Sequence, residues 1–173
     1  MTAKPLDSHR GFTLRMSQTD AERAAQVNGF TLVERGEWKP GFLVVIGTTL
    51  FLRDPNGNLV SLRFFRNQLV DIKTFFETMN LQSETTMQAY AAKLVETYGP
   101  SKHSGELVVK GQRMRSWIWM TECTIMEFRI TDLGTLVVQD RELFREVTAE
   151  QDRIVREHRD KEMETIKVSA PPF

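Results

Sequence analysis

Asp54-Pro55-Asn56-Gly57-Asn58 constrains this chain more than any other stretch. Asn-Gly accepts the positive φ angles that a tight reversal demands, and proline and aspartate favour the approach to it. The flanking runs, Thr48 to Arg53 and Leu59 to Phe65, are rich in β-branched and aromatic residues and read as strands. An antiparallel hairpin follows. Further runs at Phe30 to Glu34, Phe42 to Ile46 and Leu69 to Phe75 extend it to a meander.

A helix precedes that meander, and the same order then recurs. Ser17-Gln18-Thr19-Asp20 offers a capping hydroxyl and an early acid, and Asn28-Gly29 ends the segment. About 66 residues later Ser83 caps a second stretch, in which Met87, Tyr90, Ala91, Leu94 and Val95 form one apolar stripe, ended by Gly99-Pro100. Strands are expected again at Glu106 to Val109, Gln112 to Met120, Cys123 to Ile130 and Thr135 to Gln139, with turns at Lys110-Gly111 and Asp132-Leu133-Gly134. The reading is an α+β fold with an internal duplication: a first helix-plus-antiparallel-sheet unit at 1–80 with a polar leader, a second at 81–140, and a charged C-terminal helix and tail at 141–173. Leu143, Phe144, Val147, Ile154 and Val155 can dock the start of that helix. The polar run from Arg156 to Lys167 is expected to project into solvent, with Glu146, Glu150 and Arg153 spaced for pairing along the helix.

Composition narrows the function classes. With 173 residues, 40% hydrophobic and 27% charged, the chain suits a soluble globular protein without a membrane span. Lys+Arg and Asp+Glu both number 23, which argues against a dedicated nucleic-acid binder. The single cysteine, Cys123, excludes an intrachain disulfide, a cysteine-based zinc site and a CxxC motif; a small buried residue is its expected role. The first residues lack the apolar core of a signal peptide, so a cytoplasmic location is expected, or a periplasmic or secreted one if an export signal has been removed. No nucleophile elbow, HExxH or phosphate-binding loop occurs. His9, His103 and His158 are scattered, each expected to be solvated, and neither a catalytic site, a metal nor a cofactor is expected.

The candidate site is the strand Arg113-Met114-Arg115-Ser116-Trp117-Ile118-Trp119-Met120. Alternation puts Arg113, Arg115, Trp117 and Trp119 on one face, and tryptophan and arginine are frequent interface anchors. Two readings stand: this face is exposed and grips a partner, or the tryptophans are core and the arginines extend along the rim. Arg63 and Phe65 share a face on an earlier strand, and Lys73 and Arg129 can join them in a basic patch with aromatic residues between. Ordinary cross-strand pairing, with Glu127 available to Arg115 and Asp71 to a neighbouring cation, is the plainer reading.

Gly11-Phe12-Thr13-Leu14-Arg15-Met16-Ser17 resembles the G-x-x-L-x-M-S lead into the first helix of the beta-lactamase inhibitory protein family and the SmpA-type outer-membrane assembly lipoproteins. Asn56-Gly57-Asn58-Leu59-Val60 and Asn67-Gln68-Leu69-Val70 resemble the hairpin of the same units. The resemblance spans most of residues 11 to 140 and implies a protein-binding sheet with no catalytic chemistry. The chain departs from the pattern in having neither the acylated cysteine of the lipoproteins nor the disulfides of the inhibitor. Together these observations point to a non-enzymatic module of inhibitor, immunity, adaptor or assembly-accessory type that binds another protein. The alternative is a small-ligand or nucleic-acid binding domain using the same basic-aromatic face.

Overall fold

A computed structural model describes residues 4–42, 44–77, 79, 81 and 83–169. The leader forms a small hairpin, β1 (Ser8–His9) and β2 (Phe12–Thr13), turned by Arg10 and Gly11 at φ of 54° and 90°. Helix α1 (Gln18–Val27) follows, and Ser17 caps it by accepting the Asp20 N–H at 3.1 Å. Four strands come next: β3 (Thr31–Trp38), β4 (Gly47–Arg53), β5 (Leu59–Phe65) and β6 (Gln68–Phe76). Helix α2 (Glu84–Tyr98) opens the second round, continued by β7 (His103–Val109), β8 (Gln112–Met120), β9 (Thr124–Ile130) and β10 (Gly134–Asp140). Helix α3 (Arg141–Ser169) closes the chain.

The α+β class and the repeated order of helix then antiparallel meander agree with the sequence. The two meanders are nonetheless one continuous antiparallel sheet, ordered β3-β4-β5-β6-β10-β9-β8-β7. Their last strands join it, with Lys73 opposite Val137 and Thr74 opposite Leu136. Most expected strands lie within a few residues of the observed ones. The exception is Phe42 to Ile46, where a 3-10 turn at Pro40–Phe42 takes in the first residue and 44–46 form no strand. β3 instead runs on to Trp38, which a proline two residues later helps to end. Leu43 of that expected strand lies outside the described residues, as do 1–3 and the 170–173 tail.

Helices α1 and α2 cover one face. Ala21, Ala25, Met87, Leu94 and Tyr98 pack there on Leu50, Leu52, Leu62, Ile72, Trp119, Phe128 and Val138. The lead into α1 is pinned to the same layer: Phe12 and Leu14 are core, and residues 15 and 16 bond the backbone of Leu69 on both sides. On the opposite face α3 covers one end only. Leu143 and Val147 close over Trp38, Phe65 and Val70, with Phe144 alongside. Val70 reaches that face because the ladder slips between Arg63 and Phe64; simple alternation would have set it against Asp71. Ile154 and Val155 are half-buried, and Arg156 to Ile166 are exposed.

Candidate functional site: the helix-free face of the sheet

Strand β8 has two amphipathic faces, and packing decides between them. Arg113, Arg115, Trp117 and Trp119 do share a face, but it is the face under α2. Trp119 is 2% exposed, and its Nε1–H donates to the Gly99 carbonyl at 2.8 Å, satisfying both the indole and the end of α2. Trp117 is half-buried and stacks on Phe128 with ring centroids 5.4 Å apart. Arg115 lies between Glu84 of the first turn of α2 and Glu106 of β7, at 2.9 Å from each. Arg113 is the exposed member, 3.5 Å from Glu106 at the rim. Of the two readings of this strand, the one with core tryptophans and arginines at the rim is the one observed: packing indoles beneath a helix removes more apolar surface from water than burying the opposite side chains would.

The remaining expected residues divide differently. Arg63, Phe65, Lys73 and Arg129 lie on the far face, so the basic patch does not include Arg115. Phe65 is 3% exposed beneath α3, with the Arg66 guanidinium 4.6 Å above its ring, and is likewise removed from any open surface. Arg63 donates from Nε to the buried Asp71 at 2.8 Å, closes a second contact with the same carboxylate, and lies 4.6 Å over the Trp38 ring. Glu127 takes Arg129 at 2.8 Å; it cannot reach Arg115, which lies through the sheet. Of these three cations two are met by carboxylates, and the third, Lys73, has no carboxylate partner among the described residues. Burial foremost, together with Arg63 and Arg129 and against the pull of Asp71, lowers the Lys73 ammonium below the usual lysine range. Its Nζ rests 4.8 Å over the Phe75 ring.

Around Lys73 the face mixes apolar and polar side chains, and no described helix completes a core over it. Cross-strand pairing sets Ser61, Lys73, Val137, Glu127 and Ile118 in one row, and Leu59, Phe75, Thr135, Arg129 and Ser116 in the next. Ile125 and Met120 form part of a third, and Leu107, 58% exposed, faces Met114 at the outer edge. Phe75, Ile118, Ile125 and Val137 are half-buried and belong to neither cluster completed by a helix. Met114, Ser116, Ile118 and Met120 alternate onto this helix-free side although they are apolar enough for a core. Their alternation was legible; the direction in which it pointed was not.

Histidines and cysteine complete the inventory. His103 and His158 are exposed as expected, but His9 is buried, because the leader folds into a hairpin against α2. Cys123 is exposed in the β8–β9 turn, correcting the buried role expected for it. Among the described residues no group of three His, Cys, Asp or Glu side chains is placed to hold a metal ion. Likewise, no helix among them is long and apolar enough to cross a membrane. No protein-family model, curated protein or solved structure matches the chain.

Proposed function

We propose that this chain is a non-enzymatic binding protein that docks another protein on the helix-free face of β6, β10, β9 and β8. One observation carries the reading: Phe75, Val137, Ile125 and Ile118 lie half-exposed at diagonally neighbouring positions across β6, β10, β9 and β8, and no described helix completes a core over them. The charges around it suit a protein partner. Arg63 and Arg129 are already engaged by carboxylates, so the face lacks the several free cations that phosphate backbones require. Among the described residues of this face Lys73 is the cation without a carboxylate partner, and such a cation fixes register more than it adds affinity. The partner surface is therefore apolar with one carboxylate opposite Lys73. The resemblance to the beta-lactamase inhibitory protein and SmpA-type units enters the same proposal, as an accessory module that acts through its sheet.

A photoreactive residue placed at Ile118 or at Val137, with Arg23 on the exposed side of α1 as control, tests this. A single protein species crosslinked from both sheet positions and not from Arg23 supports it. Crosslinking that is equal from both faces, or none from the sheet, overturns it. A crosslinked dimer of the chain would replace the foreign partner with a second copy.

A further inference from the structure

The eight-stranded sheet ends on β3 at one side and on β7 at the other, and the two edges are built differently. β3 slips register between Leu32 and Glu34 and carries Glu34, Arg35 and Glu37, so a bulge and a run of charge blunt it against a further strand. β7 carries neither device. Its seven residues pair with β8 in unbroken register, from His103 opposite Ile118 to Val109 opposite Gln112, with no proline or lysine among them. Leu107 and Val108 stand 58% and 67% exposed on it. Large apolar side chains on a regular, unpaired edge are what an added strand covers.

The turn beyond β7 sets which backbone groups face outward. Lys110 and Gly111, at φ of 50° and 79°, form a two-residue reversal, which makes Val109 and Gln112 a hydrogen-bonded pair. Alternation then turns the N–H and C=O groups of Leu107, Gly105 and His103 in toward β8, and those of Val108, Glu106 and Ser104 away from it. Among the described residues no strand receives the latter. A second β7 fits them. Full overlap of two copies would set Glu106 against Glu106, but the next register toward the turn removes that opposition. Glu106 then faces the second copy's Val108, Gly105 faces its Val109, and Leu107 faces its own counterpart on a two-fold axis. That Leu107 pair is non-hydrogen-bonded, the position in which opposed Cα atoms come closest, at about 4.5 Å. Glu106 stays held by Arg115 at 2.9 Å on the helix-covered side, and Leu107, opposite Met114, is covered on the other.

The same operation already exists inside the chain, where β6 and β10 meet antiparallel with α1 and α2 on one face of the joined sheet. We infer that the β7 edge is a self-association site. Two copies pair β7 antiparallel about Leu107, joining their eight-stranded sheets into one, with the helices α1 and α2 of both on one face and the helix-free surfaces of both on the other. The pairing uses the edge and leaves the helix-free face open, so it stands or falls independently of the docking proposed there.

Sedimentation velocity of the full chain across a concentration series tests this. The chain should pass from monomer to dimer. Val108→Pro, which removes an outward N–H and leaves the β7–β8 ladder intact, should raise the dissociation constant about tenfold or more, since each dimer loses two hydrogen bonds. Leu107→Cys and Val108→Cys, each in a Cys123→Ser background, read the register directly: under mild oxidation the first should give a disulfide-linked dimer and the second should not. Both positions are exposed, which keeps the test valid if the proline variant fails to fold. A chain that stays monomeric, a dimer indifferent to Val108→Pro, or crosslinking that is equal from the two cysteine positions would each overturn the inference.

Discussion

Arg15 and Asp140, 125 positions apart, hold the leader to the last strand: Arg15 Nε donates to Asp140 Oδ2 at 2.6 Å. The same carboxylate accepts the N–H groups of Glu142 and Leu143 at 3.0 and 2.9 Å, so it also caps α3. Asp140→Ala is expected to lose roughly 2–4 kcal/mol, since it removes a cap and a buried charge partner together. Asp140→Asn, which can still cap, should lose roughly half as much. Urea unfolding of the two variants separates these contributions; equal losses would show that the cap contributes nothing.

Acid should release two of these anchors. Burial alone would raise the Asp140 carboxyl, but the bonds from Arg15, Leu143 and Glu142 more than offset it and hold it below the usual range. Asp54 is lowered in the same way, burial being outweighed by Asn58 and Arg10. A depressed folded-state carboxyl stabilises fully above its unfolded value, about pH 4, and the contribution disappears as pH falls through the folded value.

His9 gives a separate slope at milder pH. Burial chiefly, then Arg10 and Lys4, lowers it from 6.5 to about 3. The unfolded chain takes up a proton below 6.5 that the folded chain refuses, so stability is complete above that pH and declines as pH falls toward 3. Between pH 7 and 5 the loss is about 2 kcal/mol. His9→Phe should flatten the difference between denaturation midpoints at those two pH values, and a slope surviving in the variant would place the titrating group elsewhere.

The two faces of β8 should respond unequally to truncation. Trp119→Ala opens a cavity at 2% exposure and is expected to cost roughly 3–5 kcal/mol, whereas Ile118→Ala on the uncovered face should cost about 1 kcal/mol. In a variant retaining Trp119 as its only tryptophan, acrylamide should quench fluorescence weakly. Strong quenching would place that indole in solvent.

Glycine positions offer a further contrast. A Cβ at Gly47 would lie 1.9 Å from the Phe64 carbonyl oxygen, a backbone atom that cannot move aside, whereas at Gly105 nothing lies within 4 Å. Gly47→Ala should destabilise by more than about 2 kcal/mol and Gly105→Ala by less than about 0.5 kcal/mol. Thermal unfolding distinguishes them.

Much of the framework was legible because local chemistry decides it. Ser17 caps, Gly57 turns at φ of 86°, and Leu59 to Phe65 alternates as its neighbours require. What local chemistry could not decide was which side of a two-faced strand a distant helix would take. Met114, Ser116, Ile118 and Met120 are as apolar as many core faces, and contacts brought in from other elements, Gly99 and Phe128 among them, hold the tryptophans inward. His9 was missed for the same reason. Its burial depends on Tyr98, 89 positions away, and a histidine in a polar leader carries no local sign of that contact. The partners of Arg115 and Glu127 were exchanged because strand alternation within β9 and β8 does not show that the two lie on opposite sides of the sheet.

The junction of β6 with β10 has a consequence for how the chain can be divided. Each is the last strand of its meander, and they meet antiparallel near Lys73 and Val137, the arrangement in which two copies of one unit would pair about a two-fold axis. Severed in the α2 approach, either half would bare a long edge with its hydrogen-bonding groups unmet. The fragments are expected to find each other again or to pair with themselves, so the protein behaves as a dimer whose two subunits happen to share one backbone.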